Sequence, residues 1–228
     1  LPEDATGEYE LVLTVRDGPF GHAEPVARER WRLRGNVVSM SGGFEPGRTY
    51  ELAYRAANPA IAGLGFVALR DVTSWVKYQR DAVANVQYAY AFGSSQSGRF
   101  LRNFLYEGFN TDEHGRQVFD AVMAHIAGAA RISLNHRWAT PNSLSMFTAT
   151  TFPFSDRAER DPVSGKTDGL LDNDRARKNQ PKVFYTNSSV EYWGGGRAAA
   201  LLHTTADGAS DIALPDNVRA YLLAGTQH

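Results

Sequence analysis

The residues best suited to chemistry lie between Gly93 and Gly98, where GSSQSG holds Ser94, Ser95 and Ser97 between two glycines. A serine hydroxyl becomes a nucleophile when a sharp strand-to-helix turn exposes it and a base takes its proton. The flanks supply that setting. Val86, Tyr88, Tyr90 and Phe92 alternate with smaller residues, as in a buried strand, and Phe100, Leu101, Phe104 and Leu105 then recur at helical spacing. Of the elbow pattern G-x-S-x-G, Ser95 meets half, with Gly93 two residues before it and Ser97 where the second glycine would stand. Ser97, flanked by Ser95 and Arg99, and Ser94, flanked by Phe92 and Gln96, have a glycine at neither end. A serine at 97 is still small enough for strand and helix to approach. The helix that follows would aim backbone N–H groups at an oxyanion formed beside Ser95. Without partners, the same stretch is only a polar turn.

A nucleophilic serine needs a base, and the base needs a carboxylate to orient it. In open α/β sheets such groups gather at the carboxyl ends of parallel strands, and the hydrolases among them use the order serine, acid, histidine. Glu191 lies in the loop just after the apolar segment KVFYT (182–186), within NSSVEYW, and His228 follows VRAYLLA (218–224), in GTQH. Both stand where the order requires. The rival histidines have plainer places. His125 and His136 flank the junction after a strand, His203 sits on a short helix, and His22 and His114 lie in polar loops. Rival acids are Asp168, Asp172 and Asp174 in DPVSGKTDGLLDND. That segment is also the one metal candidate, since clustered carboxylates can hold Ca²⁺, but its spacing is not that of an EF-hand loop, and a capped, solvated turn explains it as well.

At 228 residues and 43% hydrophobic, the chain can bury a large core and reads as one domain, 1–228. Lys+Arg 24 against Asp+Glu 25, with no basic stripe, argues against a nucleic-acid partner. No run of apolar residues is long enough to span a membrane. The absence of cysteine excludes disulfides and thiol catalysis. The chain begins at Leu1 rather than Met, which leads us to expect a processed or excised piece.

The elements that must position these groups follow from pattern. EYELVLTV (8–15) alternates as a half-buried strand and ends at Asp17-Gly18-Pro19. Residues 21–34 form a strand pair or a surface connection anchored by Trp31 and Leu33. A Gly/Pro turn over 42–47 leads into the strand YELAYR (50–55), and Phe66, Leu69, Val72 and Val76 mark one face of a helix ending near Tyr78. With the elbow strand and its helix, this order predicts a parallel strand–helix–strand unit. VFDAVMAHI (118–126) is a further strand and 197–203 a short helix. Residues 127–180, polar but carrying Trp138, Met146, Phe147, Phe152 and Phe154, read as a lid or pocket wall.

Seven segments resemble a bacterial family of serine α/β-hydrolases: GGFEPGRTYELAYRAANP, GLGFVALRD, FGSSQSGRFLRNFLYEGFNTDE, FDAVMAHIAGA, TDGLLD, FYTNSSVEYW and LAGTQH, spread over residues 42 to 228. The resemblance implies a three-layer α/β-hydrolase fold with a mostly parallel central sheet. It carries the nucleophile onto Ser95, the acid onto Glu191 and the base onto His228. Gln96 is similar to the residue that cutinase-type esterases place after the nucleophile, its backbone N–H serving the oxyanion hole; a second donor is expected from the 56–65 loop or an upstream strand loop. Family members are expected to continue past the histidine, where this chain stops, and the first forty residues match poorly. The expected function is a serine carboxylesterase acting on a small-molecule ester without cofactor or metal. Acyl transfer to another alcohol and non-catalytic binding are the alternatives.

Overall fold

The computed structural model describes residues 11–18, 21–54, 63–79, 81–84, 86–132, 152–194 and 198–228. The chain divides into two compact units, Leu1–Ile61 and Ala62–His228.

In the first unit, the alternating residues of β1 (Val12–Asp17) make a half-buried strand. It pairs antiparallel with β2 (Glu24–Pro25) on one side and with β5 (Arg48–Ala53) on the other. Between them, β3 (Trp31–Arg34) and β4 (Val37–Met40) form a hairpin whose anchor is the buried Trp31, with the Arg28 guanidinium 4.3 Å above its ring. Gly42, Gly43 and Gly47 all adopt positive φ in the turn before β5, a conformation that other residues reach only under strain. Because β5 is held antiparallel to β1, it does not open the parallel strand–helix–strand unit that the order of elements predicts.

The second unit is built on four parallel strands in the order β11 (Val218–Leu223), β10 (Lys182–Ser188), β7 (Ala121–His125), β6 (Tyr90–Ser94). Helix α1 (Gly65–Tyr78) precedes β6, and α2 (Gln96–Tyr106) joins β6 to β7 as the true crossover. Leu101, Phe104 and Leu105 of α2 pack on Val122, Ala124, Val183, Tyr185 and Val218, and Phe66 of α1 joins them, its ring 4.7 Å from Phe100 and 5.2 Å from Phe109. Val72, expected on that face, is 61% exposed, because six residues from Phe66 leaves it a third of a turn out of phase. Ser74 is buried in its place.

The alternation before the elbow is real, but its faces are reversed. Tyr90 and Phe92 are 70% and 66% exposed, whereas Ala89 and Ala91 turn to the core. Helix α2 runs so close to β6 that only small side chains fit between them, so the aromatics take the other face. There Phe92 lies in register with Met123, and Met123 with Phe184, all exposed among the described residues. The described residues thus supply two of the three layers expected.

Several residues of 152–180 pack into the body of this unit. β8 (Glu159–Arg160) and β9 (Thr167–Asp168) form a short hairpin, and after it Leu170, Leu171 and Ala176 are buried, the first two in the core. Asp156 accepts from the Tyr185 hydroxyl at 2.8 Å, and the buried Arg102 donates to the Ala129 and Phe154 carbonyls. Of the large apolar residues expected in the lid, Trp138, Met146 and Phe147 lie outside the described residues.

The loop after α2 is tied by one carboxylate. Asp112 accepts from Ser74 Oγ at 2.9 Å, from Arg116 Nε at 2.8 Å and from the backbone N–H groups of His114 and Arg116. Burial opposes its ionisation, but these donors outweigh it and hold the carboxyl at about 2, below the usual 3.8. A depressed pKa stabilises the fold above the unfolded value and loses that contribution as pH falls through the folded one. Asp112→Asn should therefore cost about 2 kcal/mol in urea unfolding at pH 7. The gap to wild type should close as pH falls from about 4 toward about 2; a gap that stays constant with pH would contradict the assignment.

Candidate active site

The turn after β6 is set by backbone crowding. A Cβ on Gly93 would lie 2.5 Å from the Ser97 carbonyl oxygen, and one on Gly98 would lie 2.9 Å from Ala127 Cβ and 3.0 Å from the Gly93 oxygen. Both positions therefore require glycine. Gly98, one residue later than the pattern G-x-S-x-G demands, is the second glycine of the elbow, while Ser97 is exposed. Between them Ser95 takes φ 56°, ψ −116°, a conformation that costs a non-glycine residue roughly 1–3 kcal/mol. The strain is held by the Ser95 N–H, which donates to the His125 carbonyl at 2.9 Å, and by the Ser95 carbonyl, which accepts from the Arg99 N–H at 3.1 Å. Ser95 stands at the head of α2, where Gln96 is the first helical residue. The first N–H groups of a helix have no intrahelical acceptor and carry its positive dipole end.

Glu191 does not lie in a loop but in the short helix α3 (Ser189–Trp193), which leaves β10 directly. Ser188 and Glu191 form a capping box: the Ser188 N–H donates to Glu191 Oε2 at 3.0 Å, and the Ser188 hydroxyl donates to the same oxygen. Glu191 is 0% exposed. Burial opposes its charge, but the hydrogen bonds from Ser188 and His228 overcome this and hold the carboxyl below its ordinary value.

His228 reaches the site from β11 through a turn. Gly225 adopts φ 76°, its N–H donates to Ser189 Oγ at 3.0 Å, and Thr226 Oγ1 donates to the Leu223 carbonyl. His228 Nδ1 stands 2.6 Å from Glu191 Oε1, and Nε2 stands 3.1 Å from Ser95 Oγ. An ionised carboxylate only accepts, so the proton sits on Nδ1 and Nε2 faces the serine as an acceptor. The structure thus brings Ser95, Glu191 and His228 into one hydrogen-bonded line at the carboxyl ends of β6, β10 and β11.

The rivals are engaged elsewhere. Asp168 accepts from the Tyr106 hydroxyl, Asp172 and Asp174 pair with Arg177, and Asp161 closes its own turn on Ser164. Among the described residues no group of three or more His, Asp or Glu could hold a metal ion. His125 Nδ1 pairs with Thr186 Oγ1 and His203 Nε2 with the Tyr192 hydroxyl; His136 and residues 56–62 of the oxyanion-loop candidate lie outside the described residues. Sequence reasoning missed Ser188 and Ser189. The signal for the first was present, since SSVE (188–191) reads S-x-x-E, the pattern of a capping box.

The alpha/beta hydrolase domain family model matches residues 34–228. The chain belongs to that family. Searches of curated proteins and of solved structures find no match. The four-stranded sheet of the second unit is parallel and helices pack against it, and no described helix is long and apolar enough to cross a membrane.

If Gly98 is the second elbow glycine, Gly98→Ala should destabilise this hydrolase domain by about 1–3 kcal/mol through overpacking, less what alanine returns in helix propensity. The exposed Ser97→Ala should stay within roughly 0.5 kcal/mol of wild type. Urea midpoints in the reverse order would return the role to Ser97.

Proposed function

We propose that this hydrolase-fold chain is a serine carboxylesterase that cleaves small-molecule carboxylic esters through an acyl-enzyme. One observation carries the reading: the unbroken line from Ser95 Oγ through the His228 imidazole to the buried Glu191, with contacts of 3.1 and 2.6 Å. Ser95 Oγ attacks the ester carbonyl carbon as His228 Nε2 takes its proton, and the Glu191 carboxylate balances the resulting imidazolium. The carbonyl oxygen becomes an oxyanion at the head of α2, where the Gln96 N–H receives it. The carbon–oxygen bond to the alcohol then breaks, and the alcohol leaves with the proton from Nε2. Water repeats the sequence on the acyl-Ser95 ester, releasing the acid and restoring the serine.

Treatment with a fluorophosphonate followed by peptide mass analysis should place one adduct on Ser95; an adduct on Ser94 or Ser97, or none, would contradict the reading. Glu191→Gln should lower kcat on p-nitrophenyl acetate by up to about four decades, the loss seen when an amide replaces the orienting carboxylate of a serine protease. Asp168→Asn and Asp172→Asn should change it by less than roughly tenfold. Matching thermal midpoints separate this from loss of fold.

A further inference from the structure

Two adjacent serines after β10 touch the two groups that the proposed chemistry needs most firmly placed. Resting on the esterase reading, we propose that Ser188 and Ser189 are positioning residues, Ser188 fixing the acid and Ser189 fixing the turn that carries the base. The carboxylate of Glu191 is divided between two duties. Oε1 faces His228 Nδ1, and Oε2 takes both the N–H and the hydroxyl of Ser188. With Oε2 held by two donors one turn away, the carboxylate cannot rotate about its last bond without giving up buried hydrogen bonds. Ser188 is itself 1% exposed, and its oxygen accepts from the Val190 N–H at 3.3 Å, which directs the hydroxyl proton toward Glu191.

The base has no element of its own. Only residues 224–227 separate Leu223, the last of β11, from His228. Ser189 Oγ accepts the Gly225 N–H, so the head of α3 grips this stretch three residues before the imidazole. Acid and base are thereby referred to the same point, the β10–α3 junction, rather than to two independent loops. The N-cap alone asks only for a side-chain oxygen at 188, and nothing about capping requires a hydroxyl at 189.

The test uses Ser188→Ala, Ser188→Thr and Ser189→Ala in the full chain, with p-nitrophenyl acetate and with proton NMR of the His228 Nδ1–H. Ser188→Ala should lower kcat by about ten- to a hundredfold, as a small misplacement of a catalytic group does, with KM unchanged. Ser188→Thr, which keeps the hydroxyl, should restore most of the rate. Ser189→Ala should lower kcat in the same way. In a Glu191→Gln background Ser188→Ala should add little, because its effect passes through that carboxylate; a purely structural residue would give additive losses. The downfield Nδ1–H resonance should persist in wild type and Ser188→Thr and broaden in Ser188→Ala. Full kcat and an unchanged resonance in Ser188→Ala would overturn the proposal. A wild type that hydrolyses no ester yet shows these resonance changes would sink the esterase reading while leaving the positioning roles standing.

Discussion

The closeness of α2 to β6 is the constraint from which the rest follows. Backbone meets backbone at Gly93, Ser97 and Gly98, leaving no room for a Cβ at either glycine. A chain forced to turn this sharply puts its apex residue, Ser95, at positive φ. The cost, roughly 1–3 kcal/mol, is small beside what the approach makes possible. Leu101, Phe104 and Leu105 are buried on the sheet as a result, each worth roughly 1.5–3 kcal/mol. Packing thus holds the serine in a conformation that it would not adopt alone.

The sheet sets the remaining distances. Ser94, His125, Thr186 and Tyr221 lie in one register row; β6 and β7 end on it, while β10 and β11 run on to Ser188 and Leu223. Ser95 stands beyond β6 and Glu191 beyond β10, two strand spacings or roughly 10 Å apart. That gap suits an imidazole with one hydrogen bond at each end. β11 lies beyond β10, so His228 returns inward to fill the gap, and the bond from Gly225 to Ser189 marks the path.

Much of this was legible from residue order. The elbow, the apolar strands and the sequence Ser95, Glu191, His228 all follow from alternation, turn residues and the ends of strands. What was not legible has physical causes. Alternation reports that a strand has two faces but not which one is covered, and the aromatics of β6 lost the covered face to alanines because the neighbouring helix is too close. The elbow glycine at 98 falls outside a fixed motif because close contact, and not spacing, selects it. β5 read as the start of a parallel unit because the partner that claims it, β1, lies more than thirty residues earlier. The polar run 152–180 resembles a surface segment in composition, yet Leu170 and Leu171 draw it into the core.

The most direct measurement is the pre-steady-state release of p-nitrophenolate from p-nitrophenyl acetate. An acyl-enzyme on Ser95 predicts a burst that scales with the concentration of chain and disappears in Ser95→Ala, with the acetyl group recovered on Ser95 by mass analysis of the quenched protein. A linear release with no acylated intermediate, or a burst that survives Ser95→Ala, would contradict the account.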